Sequence, residues 1–99
     1  MAHVELSLAA IERLDRMIVT HSLPMDARER VQRSLRKLER FPSIGRQLDE
    51  RWGSLRFIVG PWRWLLIVYV YEESADRVLV VAIQDARSSS AVTNLIAPR

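Results

Sequence analysis

The chain is 99 residues long, with 15 basic and 12 acidic side chains and a formal net charge of +3. That length predicts one domain over residues 1–99, hiding about two thirds of its unfolded surface around a single modest core. Cysteine is absent, which excludes disulfides, thiolate metal sites and Cys nucleophiles; His3 and His21 are too few for a His-built metal cage, so neither metal nor cofactor is expected.

A content of 48% hydrophobic and 27% charged residues is that of an ordinary globular protein. The N-terminus reads MAHVELS, without a basic-then-apolar leader, so a cytoplasmic protein is expected. The longest apolar run, Trp62 to Tyr71, is interrupted by Arg63 and falls short of the roughly 20 residues a membrane span needs. Of the basic residues 14 are Arg, and Lys37 is the lone Lys. A pI near 10.2 suits an anionic partner, although many proteins with no such partner carry a charge of +3.

Val4, Leu6 and Leu8 alternate with Glu5 and Ser7, which predicts a short strand with one apolar face. From Ala9 to about His21 the period becomes helical, with Ile11, Leu14 and Ile18 on one face. Ser22-Leu23-Pro24 breaks that helix and Pro24 opens a second. The second helix runs to about Arg40 and buries Ala27, Val31, Leu35 and Leu38. A link of about three residues forces the two helices antiparallel. Pro42 to Gly53 has no clean period and reads as loop. Leu55 to Val59 alternates as a strand, and Gly60-Pro61 is a turn. Trp62 to Tyr71 and Val78 to Ile83 read as central strands around a polar turn at Glu72 to Asp76. Asp85 to Arg99 reads as a loop and short helix, or as a tail.

The order is strand, helix, helix, strand, strand, strand. This β-α-α-β-β-β pattern predicts an α+β domain, an N-terminal helical hairpin packed on one face of a mostly antiparallel sheet. The other sheet face is expected to be concave, open and functional.

The segment Pro42-Ser43-Ile44-Gly45-Arg46-Gln47-Leu48 resembles the P-x-x-G-x-x-L signature of the RelE/ParE superfamily of type II toxin–antitoxin toxins. Arg56 in the next strand, Arg63 at the head of the third, and Ile83 followed by Arg87 match that superfamily's basic positions. The resemblance covers about Val4 to Arg87. It implies a growth-inhibiting toxin neutralised by a cognate antitoxin, in a toxin–antitoxin hetero-oligomer. RelE-like members cut messenger RNA on the ribosome, and ParE-like members poison DNA gyrase.

Residues 40 to 63 hold Arg40, Arg46, Arg51, Arg56 and Arg63 against Asp49 and Glu50, a local +3. The rest of the chain balances ten basic against ten acidic residues. Such a patch attracts phosphates, and Arg adds bidentate geometry, although a solvated loop with scattered Arg has the same composition. Arg56, Arg63 and Arg87 are the candidate catalytic residues, stabilising transition-state charge. Packing of Arg63 beside Trp62 and Trp64 is the plainer role for that side chain. Arg46, Arg51, Trp52, Trp62, Trp64 and Asp85 are candidate binding residues for nucleic acid or a partner protein. Asp85 also has the plainer role of holding Arg87.

RNA cleavage by 2′-OH attack needs a proton acceptor as well, and Arg stays protonated. RelE-like enzymes supply Lys, Tyr or His there. This chain has no Lys in its strands and no His or Tyr after Tyr71. His3 and His21 are expected on the surface away from the site, and Tyr69 and Tyr71 in packing roles. Nuclease activity, gyrase inhibition and a non-catalytic interaction module all stay open on this reading.

Overall fold

In the computed structural model, which describes residues 1–48 and 54–87, Ser7 joins the first strand β1 (His3–Leu6) to the first helix α1 (Leu8–Thr20). Its hydroxyl oxygen accepts from the Ala10 N–H at 3.1 Å, a cap worth about 1 kcal/mol. The strand is therefore shorter than the alternation suggested, because Leu8 is already helical and 71% exposed. The buried stripe of α1 is Ala10, Leu14 and Met17, with Ile18 packed at its margin. Ile11 is left half-exposed.

Ser22 adopts φ 49° to turn the chain out of α1. The second helix α2 (Ala27–Arg40) starts three residues after Pro24, whose carbonyl accepts from the Ala27 N–H at 3.0 Å. Its buried stripe is Ala27, Val31, Leu35 and Leu38, as the spacing predicts. Arg28 and Asp15 pair at 2.6 Å across the two helices.

The described residues form a sheet of five strands in the order β1-β5-β4-β3-β2, with β2 (Arg46–Gln47), β3 (Leu55–Val59), β4 (Leu65–Glu72) and β5 (Arg77–Asp85). β1 runs parallel to β5 and every other pair is antiparallel. Val68 pairs with Ala82 and Tyr69 with Val80, so Val81 is an extra, bulged residue. The Ser7 hydroxyl donates to the Val81 carbonyl at 3.3 Å, which ties the bulge to the start of α1.

One core joins both helices to the sheet through Leu14, Met17, Val31, Leu38, Ile67, Tyr69, Val80 and Ile83. Leu66 and Val68, which alternate with these on β4, are buried as well. The sheet is thus apolar on both sides at its centre, where Leu66 and Val68 are buried rather than open as expected.

Two expectations need correction. The loop from Pro42 to Gly53 contains β2, which two residues are too short to reveal by period. Trp62, Arg63 and Trp64 are not strand; β4 begins at Leu65 because the turn after β3 extends from Gly60 through Trp64. No helix among the described residues is long and apolar enough to cross a membrane.

Candidate functional site

The strands β3, β4 and β5 share one end of the sheet, where Val59 pairs with Leu66 and Leu65 pairs with Asp85. The turn between β3 and β4 is closed by the Gly60 N–H donating to the Leu65 carbonyl at 2.8 Å and the Leu65 N–H donating to the Trp62 carbonyl at 3.0 Å. Gly60 lies hard against Leu65: a Cβ there would sit 2.7 Å from Leu65 Cδ2. This tight turn presents Trp62, Arg63 and Trp64 as a cap over the sheet end. The Ala86 N–H donates to the Trp64 carbonyl and fastens the end of β5 to the same turn.

The C-terminal end of α1 arrives at this cap. The His21 ring stacks on Trp64 with centroids 4.9 Å apart and planes 13° from parallel. Trp62 stacks on Trp64 at 5.8 Å and 18°. The Arg87 guanidinium lies 4.5 Å from the Trp64 ring centroid, and that of Arg30 on α2 lies 5.9 Å from the Trp62 centroid. Both are cation–π contacts.

Asp85 organises the polar side of the cluster. Its Oδ2 is 2.8 Å from His21 Nε2. Its Oδ1 accepts from the Arg87 backbone N–H at 2.8 Å and from Arg87 Nε at 3.2 Å, while Arg87 Nη2 donates to Oδ2 at 3.2 Å. The Arg87 bond, helped by those from His21 and the Arg87 backbone, holds the Asp85 carboxyl well below the usual carboxylate range despite partial burial. An ionised Asp85 only accepts, so His21 Nε2 carries a hydrogen and donates it. In the neutral ring Nδ1 then carries the lone pair, and it faces the exposed Thr20 hydroxyl at 2.9 Å.

Beside the cap, Arg30, Arg33 and Lys37 of α2 line a shallow groove of about 410 Å³ with Asp26, Ser34 and Pro61. Arg30 is partly neutralised by Asp26 at 3.0 Å. The positive surface therefore continues from the cap along α2.

The structure brings four predicted residues together: Trp62, Trp64, Asp85 and Arg87. Arg63 is exposed in the same turn, not at the head of a strand. Arg56 stands apart from them. It pairs in register with Tyr69, so it shares the helix-covered side of the sheet. Its Nη1 donates to the Ser43 and Gly45 carbonyls at 3.2 and 2.9 Å. The register thus puts Arg56 on the side of the sheet that the helices cover. Arg46 is exposed on the edge strand β2. Arg51 and Trp52 lie outside the described residues.

Tyr69 is fully buried, as a packing role requires, and its hydroxyl accepts from the Gly45 N–H at 2.9 Å. Tyr71 donates to Asp76 at 2.8 Å at the opposite end of β4. His21 lies in the turn that ends α1, but it is not the free surface residue the sequence predicts: it packs on Trp64 and bonds Asp85 within the cluster. Among the described residues no group of three or more His, Asp or Glu could hold a metal ion.

No protein-family model matches the sequence, and no curated protein matches it. Solved structures do match the fold. A chain of the intact E. coli RelBE toxin–antitoxin complex superposes with a TM-score of 0.65 at 16% identity, covering 87% of this chain and 98% of that one. The isolated E. coli RelE toxin superposes with a TM-score of 0.67 at 15% identity, covering 95% of this chain and 94% of that one. The chain therefore has the RelE fold, in agreement with the fold that the resemblance of its motifs implies.

Proposed function

We propose that this chain is the toxin of a type II toxin–antitoxin module and that it arrests growth by cleaving messenger RNA on the ribosome. The observation that carries the choice of RNA is Arg87, held over Trp64 by Asp85. A guanidinium beside a stack of two indoles offers a phosphate contact and a surface for an unpaired base at one place. Arg30, Arg33 and Lys37 extend that surface with further cations for a phosphate backbone. Arg63, exposed in the cap, and Arg87 stabilise the charge that builds on the phosphate during cleavage. Arg56, bonded to two backbone carbonyls, holds the Ser43–Gly45 loop against β3.

The proposed partner is a cognate antitoxin, in keeping with the RelBE complex whose chain this fold resembles. Leu8, Ile11 and Val19 leave apolar surface exposed on α1 for such a partner to cover. Acidic residues of the partner would meet the Arg-bearing cap. The proposed compartment is the cytoplasm, where ribosomes are.

The test is induced expression followed by mapping of transcript ends. Growth should stop, transcripts should be cut only when ribosomes are engaged, and a small adjacent reading frame should restore growth. Arg87→Ala should abolish the cuts. Gyrase inhibition without RNA cleavage would move the chain to the ParE-like activity, and unaffected growth at high soluble expression would leave only a binding module.

A further inference from the structure

We propose that His21 is the proton acceptor of this site, its imidazole oriented by Asp85 and its Nδ1 directed to the 2′-hydroxyl of the RNA. The inference rests on the RNA-cleaving reading above and supplies the group that reading lacks.

Elimination among the described residues leads to it. Arg30, Arg63 and Arg87 remain protonated and cannot accept. Tyr69 is buried against Gly45, and Tyr71 is bonded to Asp76 at the far end of β4. Lys37 lies on α2 along the groove, beyond Arg30 and Arg33. Asp85 is a weak base because Arg87 and His21 stabilise its ionised form. Among the described groups at the cap the His21 imidazole remains, since His3 lies on β1 and pairs with Glu5; an imidazole is the side chain best matched to proton transfer near neutral pH.

Geometry adds a positive argument. The Asp85 carboxylate takes the hydrogen of Nε2 at 2.8 Å, which fixes the tautomer. Stacking on Trp64 fixes the ring plane. The lone pair of Nδ1 is then turned to the exposed Thr20 hydroxyl at 2.9 Å. That hydroxyl marks the position a ribose 2′-hydroxyl would take once Thr20 rotates away. Arg87, bonded to the same carboxylate, stands on the indole beside the ring and is placed for the neighbouring phosphate.

The step balances without any other reagent than water. Nδ1 takes the proton from the 2′-hydroxyl as the O2′–P bond forms. The P–O5′ bond breaks, and the 5′-oxygen takes a proton from water. His21 then returns its proton to solvent. The products are a 2′,3′-cyclic phosphate and a 5′-hydroxyl.

Among the described residues, the charged groups around the ring are Asp85 and Arg87 from the end of β5, and Arg30 of α2 by way of Trp62. Of these, only Asp85 bonds the imidazole directly among the described residues. The expected signature of a base at this position is a pH limb of the cleavage rate that is missing in His21→Gln.

The experiment measures single-turnover cleavage of messenger RNA on purified ribosomes by the full-length chain, across pH. His21→Gln should slow cleavage by about 10²- to 10⁴-fold while ribosome binding is retained. His21→Ala should regain part of its rate with added imidazole, which a purely structural role would not allow. Asp85→Asn should lower the rate less and shift the pH limb. Wild-type chain that cuts RNA while His21→Gln cuts equally fast overturns the assignment of His21 and leaves the toxin reading standing. Loss of activity in His21→Ala that imidazole does not restore, with the pH limb unchanged in Asp85→Asn, also overturns it. Wild-type chain that cuts no RNA overturns the reading and the inference together.

Discussion

His21 Nε2 and Asp85 Oδ2 lie 2.8 Å apart across 64 positions of sequence, joining the end of the first helix to the end of the last strand. Asp85 is held well below its ordinary value, chiefly by Arg87. A carboxyl with a depressed folded-state pKa stabilises the protein above its unfolded value and loses that contribution as pH falls. Stability should therefore decline as pH drops below about 4, and Asp85→Asn should flatten this part of the profile. The carboxylate keeps some contact with solvent, so the loss at neutral pH should be at most about 1 kcal/mol. Urea midpoints between pH 2 and 7 for both proteins would check this.

The placement of His21 follows from distances that the sequence alone did not connect. α1 rises about 1.5 Å per residue and β5 about 3.3 Å. Ser7 is bonded to Val80 and Val81, so thirteen helical residues and the remainder of β5 travel a similar distance to one end of the sheet. The step that was missing is the parallel pairing of β1 with β5, which no periodicity encodes. By contrast, the helical hairpin was legible because Ala27, Val31, Leu35 and Leu38 repeat at helical spacing and Pro24 marks the break. Trp62 and Trp64 adjoin the apolar run Leu65 to Tyr71, so the sequence predicts strand there despite Arg63. Only the close packing of Gly60 on Leu65 shows that the chain is still turning there. Alternation along β3 names two faces without saying which one the helices cover, so the sequence alone does not place Arg56.

Tyr69 and Gly45 form a second testable unit. The Gly45 N–H is buried and donates to the Tyr69 hydroxyl. Tyr69→Phe would leave that donor unpaired, at a cost of about 1–3 kcal/mol. Gly45→Ala would place a Cβ 2.6 Å from the same hydroxyl and 2.8 Å from the Phe57 carbonyl, an overpacking of about 1–3 kcal/mol. Burial pushes the Tyr69 pKa above its ordinary 10.0. The unfolded chain then ionises first on raising the pH, so stability should fall above about pH 10, less steeply in Tyr69→Phe. Thermal melts of both variants, and of wild type at alkaline pH, test these outcomes.

Met17 is the α1 side chain that fills the core between the helices and the sheet, at 1% exposure. Met17→Ala should destabilise by about 2–5 kcal/mol through lost transfer energy and a cavity. Val19, at 78% exposure, is its neighbour on the opposite side of the helix. Val19→Ala should leave the isolated chain within about 0.5 kcal/mol of wild type. If α1 carries the antitoxin, the same Val19 change should weaken the complex while leaving the melting temperature of the free toxin alone. Chemical denaturation and a toxin–antitoxin binding titration separate the two effects.

Trp64 touches His21, Trp62 and Arg87, so its removal dismantles the cap without emptying the main core. If the cap binds unpaired RNA, Trp64→Ala should weaken binding by about 1–3 kcal/mol, roughly fivefold to 150-fold. Trp64→Phe keeps a ring for His21 and Arg87 and should recover much of this. Arg63 is exposed and adds charge rather than stacking. Arg63→Ala should therefore act through the counterions it displaces: affinity falls for every sequence alike, and the slope of log K against log salt shrinks by about one. Trp64→Ala should lower affinity with the salt slope nearly unchanged. Fluorescence titrations of labelled single-stranded RNA from low to physiological salt distinguish the two patterns. Equal affinity of wild type, Arg63→Ala and Trp64→Ala would rule out the cap as the RNA-binding surface.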